Sequence, residues 1–159
     1  METQPKIRKL KPQAIIFVRK YGEYINAAPK PAWSELMIFA EKKKLIKKHT
    51  KKIGICHDNR WSKPEKNLRY DACITIDKTV ELDENISNQT IQGGKYLVFL
   101  HSGPFEYLDK TYKKIFDDWL PHKKTKIRTA PTLEFYLNCE EKFTNPQNLK
   151  TEIWIPIEN

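Results

Sequence analysis

The pattern in this chain best able to do chemistry is a carboxylate spaced between aromatic residues. It lies in Thr132-Leu133-Glu134-Phe135-Tyr136-Leu137, and a second acid–aromatic pair follows in Glu152-Ile153-Trp154. Side chains alternate across a strand. Leu133, Phe135 and Leu137 therefore share one face, expected to pack on helices, while Glu134 and Tyr136 share the other. In the last strand Ile153, Ile155 and Ile157 take the core side, which leaves Glu152 and Trp154 opposite. Paired as a hairpin, the two strands would gather Glu134, Tyr136 and Trp154 on the face away from the helices. An aromatic face attracts a cation through its quadrupole, and a partly desolvated carboxylate adds a full counter-charge. The same carboxyl, with its pKa raised by burial, could serve as a general acid or base. Equally, Glu134 could sit on the wet face of an antiparallel sheet, although an exposed tryptophan beside a carboxylate is unusual.

Other chemistry-bearing residues converge less. Cys56-His57-Asp58 sets a nucleophile, a base and an acid in a row, but neighbours on a strand face opposite ways and cannot form a triad. His49, His57, His101 and His122 lack metal-ligand spacing, so no metal or other cofactor is expected. Gly93-Gly94 reads as a turn or bulge, because no phosphate-loop glycine pattern follows it. Cys56, Cys73 and Cys139 are odd in number and form no CxxC pair, which argues against a disulfide framework and for a reducing cytoplasm. Trp33, Tyr112 and Trp119 fall on helix stripes and read as core.

These residues need a sheet to position them, and the hydrophobic pattern predicts one. Ala14 to Val18 reads as a buried strand. Trp33, Leu36, Met37 and Ala40 recur at helical spacing after Pro31, which suits a first turn. Strands follow at Lys52 to His57 and Arg69 to Ile76, around a polar loop from Asp58 to Leu68; Asp77 to Gln92 reads as a polar connector. The order then repeats: a strand from Lys95 to His101, a helix carrying Leu108, Tyr112, Ile115, Phe116 and Trp119 up to Pro121, and strands at Thr132 to Asn138 and Lys150 to Ile157. Two β-α-β-β units, about 10–77 and 93–158, echo one another at a period too long for a solenoid. The expected fold is a single α+β domain over residues 1–159. In it, duplicated units related by pseudo-two-fold symmetry form an antiparallel sheet packed against two helices, with a ligand groove at the seam. By the repeat, Ile55, His57, Asp71 and Cys73 are approximate counterparts of the Glu134 set.

Composition narrows the function classes. The chain has 159 residues, 39% of them hydrophobic and 11% aromatic, enough for a core and unlike a disordered segment. No apolar run approaches the length of a membrane span, and the charged first eleven residues lack the apolar stretch of a signal peptide. The net charge of +9 invites a nucleic-acid reading. However, 24 of the 29 basic residues are lysines, whereas base recognition leans on arginine. The densest cluster, Lys42, Lys43, Lys44, Lys47, Lys48, Lys51 and Lys52, reads as a solvated helix end. Sequence-specific DNA binding is not expected.

Longer motifs carry a family resemblance. Ile53-Gly54-Ile55-Cys56-His57-Asp58-Asn59 and Leu68-Arg69-Tyr70-Asp71-Ala72-Cys73 resemble the first half of the gyrase-inhibitor-like (GyrI-like) effector-binding domain. Its second half is matched by Gly93-Gly94-Lys95-Tyr96, His101-Ser102-Gly103-Pro104-Phe105-Glu106-Tyr107-Leu108, Asp118-Trp119-Leu120-Pro121 and the Glu134 and Trp154 strands. The resemblance implies a groove for small molecules in which Glu134 meets cationic, lipophilic ligands, with Tyr136, Trp154, His57 and Ile55 as the other expected ligand-binding residues. It also implies alternatives: a hydrolase of cyclopropane-bearing genotoxins, in which Glu134 positions water and Tyr136 donates a proton, or a partner of DNA gyrase. A separate regulator is a further expected partner. Family regulators attach a helix-turn-helix module, for which the sequence before the first strand leaves no room, so a stand-alone binding protein is expected. Asn59-Arg60-Trp61 departs from the family's proline-containing turn.

Overall fold

The computed structural model describes residues 4–138 and 145–159; Cys139 lies outside the described residues. In chain order the elements are β1 (Lys6–Leu10), β2 (Gln13–Tyr21), α1 (Pro29–Lys42), β3 (Lys52–Cys56), β4 (Arg69–Thr75), β5 (Ser87–Ile91), β6 (Gly94–Ser102), α2 (Leu108–Lys113), β7 (Thr132–Tyr136) and β8 (Lys150–Pro156). A π-helical turn, Lys114–Trp119, extends α2. The eight strands among the described residues form one antiparallel sheet in the order β1-β6-β8-β7-β3-β4-β2-β5. The predicted α+β architecture is therefore found, with helices packed on an antiparallel sheet.

Two strands, β1 and β5, had no counterpart in the hydrophobic pattern. They are the outermost strands of the sheet, and an edge strand that buries little can be charged or polar without losing its backbone pairing. Lys6-Ile7-Arg8-Lys9-Leu10 and Ser87-Asn88-Gln89-Thr90-Ile91 are such sequences.

The helices cover one face of the sheet, each over its own half. α1 buries Ala32, Leu36, Phe39 and Ala40 against Ile16, Val18, Tyr70, Ala72 and Ile74. α2 and its extension bury Leu108, Tyr112 and Ile115 against Leu97, Phe99, Ile153 and Ile155. The opposite face carries a third apolar cluster that includes Ile15, Ile53, Ile55, Cys73, Leu133, Phe135 and Trp154. Burial on both faces explains why Ala14 to Val18 is a continuous apolar run with no polar alternation.

Register overturns one facing expectation. Glu134 stands opposite Ile153 and Leu133 opposite Trp154, and directly opposed residues share a face. Ile153 packs under α2, so Glu134 and Tyr136 look toward the helices, while Leu133 and Phe135 look away from them. Leu137 lies beyond the strand and is half exposed.

Two buried carboxylates lock the first half. Asp71 takes both ends of the Arg19 fork at 2.7 and 3.0 Å, His57 Nε2 at 2.7 Å and Gln89 Nε2 at 3.3 Å. Burial pushes its carboxyl up, but the bonds from His57 and Arg19 outweigh this and hold it below the usual range. Asp58 accepts from Arg69 through Nε, Nη2 and the backbone N–H, and from Lys63; chiefly the Arg69 side chain holds its carboxyl well below the ordinary value. A native pKa below the unfolded one gives stability that is present above about pH 4 and lost as pH falls through the native value. Asp58→Asn should cost about 2 kcal/mol at pH 7 and make stability less steep between pH 5 and pH 2 in urea unfolding. An acid limb identical to the wild type would assign the pH dependence to other groups.

Candidate functional site

β3 and β7 pair at the line where the two helix-covered halves meet, and Gly54 stands opposite Glu134 there. A side chain at Gly54 would fall on the hydroxyls of Tyr136 and Tyr70, so glycine at this strand position is what lets those phenols approach the sheet. Above the seam, between α1 and the turn Phe105–Tyr107, opens a cleft of about 410 Å³. Trp33 and Met37 of α1, Tyr24, Tyr70, Phe105 and Tyr136 give it aromatic and apolar walls, with Glu134 among its lining residues. Trp33 and Phe105 each make an edge-to-face pair with the Tyr136 ring, with centroids 5.6 and 5.7 Å apart.

Glu134 is 2% exposed, and a carboxylate so placed needs donors. Tyr136 Oη donates to Oε1 at 2.6 Å and Tyr112 Oη to Oε2 at 2.6 Å. The Cys56 thiol lies 3.8 Å from Oε2. Because the Tyr136 hydrogen is committed to the carboxylate, Tyr136 accepts from Tyr70 at 2.6 Å, and Tyr70 accepts from Trp33 Nε1 at 2.7 Å. The result is a one-way chain of donors from α1 to the acid. Burial first, and then the charge of Glu134, push the Tyr70, Tyr112 and Tyr136 phenols well up, so all three stay protonated as donors. Arg60, from the loop between β3 and β4, comes within 3.8 Å of Glu134 Oε2 and pairs with Asp109.

The structure therefore brings Glu134 and Tyr136 together and sets the other expected site residues apart from them. Trp154 lies on the opposite face, stacked on Phe135 at 4.7 Å, with its indole N–H donated to Glu152 at 3.2 Å. Ile55 shares that face with Leu133. His57 is engaged with Asp71 and, together with Ile55, borders a separate cavity of about 370 Å³. Cys56 and His57 face opposite ways, as alternation requires, and Asp58 is held by Arg69. Trp33, read as core, instead lines the cleft; Tyr112, also read as core, is buried and bonds the acid. Tyr70, Phe105 and Arg60 are contributors that strand alternation in the closing hairpin did not reach. One signal pointed toward them: a glycine inside an apolar strand marks a close approach.

No group of three or more His, Cys, Asp or Glu residues suited to a metal ion is found among the described residues. No helix among them is long and apolar enough to cross a membrane.

Known proteins share this fold. The sequence pattern of the GyrI-like small molecule binding domain matches residues 3–158. The "Probable transcriptional regulator YgiV" of Escherichia coli K12 is 29% identical over 106 residues, which span 66% of this chain and 66% of that protein, just under two thirds. The crystal structure of the EcmrR C-terminal domain superposes with a TM-score of 0.78 at 16% identity, covering 100% of this chain and 99% of that one. SAV2435, solved bound to tetraphenylphosphonium, superposes with a TM-score of 0.66 at 15% identity, over 100% and 95% of the two chains. At these identities the superpositions establish a shared fold.

Gly54→Ala should displace the Tyr70 and Tyr136 hydroxyls and cost about 1–3 kcal/mol in urea unfolding, the ordinary penalty of overpacking. A variant as stable as the wild type would mean that the phenols have room to move away from the sheet.

Proposed function

This chain belongs to the GyrI-like small-molecule-binding domain family, and on that premise we propose that the cleft above Glu134 binds lipophilic, aromatic or cationic organic molecules. The observation that carries the proposal is the buried Glu134 carboxylate beneath aromatic walls. Aromatic faces and edges take up flat or bulky apolar groups, and the carboxylate favours those bearing a positive charge. The cleft is of a size that encloses a drug-sized molecule. Tetraphenylphosphonium, the ligand of SAV2435, has this chemistry. Glu134 and Tyr136 are the proposed contacts at the acidic end, with Trp33, Tyr70 and Phe105 as the walls. Trp154, on the opposite face of the sheet, is outside the proposed site. A regulatory role of the kind named for YgiV belongs to the same proposal: a partner would respond to the ligand state of the cleft.

The test is a titration with tetraphenylphosphonium, a neutral triphenylmethyl analogue and an aromatic anion, followed by quenching of tryptophan emission and by thermal shift. The wild type should prefer the cation, and Glu134→Gln should weaken its binding about tenfold or more, a loss of about 1.4 kcal/mol. Trp154→Phe should bind as the wild type does. Equal affinity for all three probes, or no effect of Glu134→Gln, would remove the carboxylate from the binding site. Chemical conversion of a bound compound that stops in Glu134→Gln while binding persists would assign the hydrolase alternative instead.

A further inference from the structure

The proposed ligand has an internal counterpart already seated beside the acid. The loop between β3 and β4 is a polar surface segment, yet the Arg60 side chain in it is only 8% exposed. Its guanidinium lies 3.8 Å from the centre of the Tyr112 ring, 5.2 Å from that of Tyr24 and 6.0 Å from that of Trp61. One edge pairs with Asp109 and the other approaches Glu134 Oε2 at 3.8 Å. A planar, delocalised cation among aromatic rings and next to a carboxylate is the arrangement proposed for the ligand itself.

The two cations would approach opposite sides of one carboxylate. Oε1 is turned to Tyr136, which lines the cleft, whereas Oε2 is turned to Tyr112, Cys56 and Arg60, which line a smaller cavity of about 270 Å³. A positive charge held near Glu134 in a water-poor site lowers the negative potential that the cleft presents. Asp109 is half exposed, so its own field is screened by solvent more than that of Glu134. Its effect on the site runs through its hold on the guanidinium.

We infer that Arg60 sets the charge selectivity of the cleft by sharing the Glu134 carboxylate with the ligand, and that Asp109 sets how large that share is. This inference rests on the reading of the cleft as a cation-accepting site. With Arg60 in place the cleft accepts neutral aromatic molecules alongside cations; without it the site becomes a strong cation binder. Arg60 acts through Glu134, so a merely structural role must be separated from an electrostatic one.

The separating readout is the ratio of affinities for tetraphenylphosphonium and neutral triphenylmethanol, measured by fluorescence titration at constant ionic strength. Arg60→Gln should tighten phosphonium binding about tenfold and leave triphenylmethanol within about threefold of the wild type, since both probes would sense any space vacated. Arg60→Lys, which keeps the charge, should stay near the wild-type ratio. Asp109→Asn, which frees the guanidinium to act on Glu134, should shift the ratio the other way, by about threefold. The gain from Arg60→Gln should vanish in the Glu134→Gln background, as expected of a coupled pair. If Arg60→Gln does not fold, Asp109→Asn still decides the matter: a ratio that stays at the wild-type value or moves toward the cation overturns the inference. An unchanged ratio in Arg60→Gln, or equal losses for both probes, overturns the inference while leaving cation binding by the wild type intact. Failure of wild type and Arg60→Gln alike to bind phosphonium overturns the inference together with the reading beneath it.

Discussion

Removing a carboxylate from water costs several kcal/mol unless its charge is met, and much of this fold's centre can be understood as meeting that cost at Glu134. Two phenols donate to it, one on each oxygen. Each phenol then has needs of its own. Tyr136 takes a hydrogen bond from Tyr70, and Tyr70 takes one from the indole of Trp33. The Arg60 guanidinium sits over the ring of Tyr112. The buried charge on β7 thereby ties together α1, β4, α2 and the β3–β4 loop. Gly54, directly across from Glu134, is the point of least bulk that makes the arrangement possible.

That centre sits where neither helix covers the sheet. α1 buries the β2–β4 side and α2 the β6–β8 side, each with its own apolar cluster. Two rods set on the two halves of one sheet leave a gap between them over the β3–β7 pair. A purely apolar gap would favour collapse, but a buried charge with fixed donors resists it and keeps polar atoms available at the floor. The cleft thus follows from topology, and its chemistry from a single acidic residue.

The sheet's other face has a different task. Leu133, Phe135, Trp154 and Ile55 fill it by packing, and Asp71 with Arg19, His57 and Gln89 pins β2, β4 and β5 together through charge-assisted bonds. Those groups satisfy one another, which is why His57 and Asp71, counterparts of the Glu134 set by the repeat, read in space as a structural lock. The lysine excess stays largely outside both arrangements, although Lys30 and Lys52 are among the residues that line the cleft.

Periodicity and punctuation were enough to determine the order of elements, both helices and six of the strands described. Motifs in matching order were enough to determine the family. Edge strands β1 and β5 escaped because backbone pairing holds them more than burial does, so apart from Leu10 and Ile91 their side chains carry little hydrophobic signal. Alternation also separated Glu134 and Tyr136 from Leu133 and Phe135 correctly, but could not say which pair faces the helices. That choice depends on register: with Glu134 opposite Ile153, the acid joins the α2 side, and a slip of one residue would reverse it. The same register carried Trp154 away from Glu134, while packing of α1 brought Trp33 to it. Alternation is a property of one strand and is written in its own residues. The partner across a strand pair, and the loop arginine that folds beneath it, are set by how distant segments meet, and only the tertiary structure decided those.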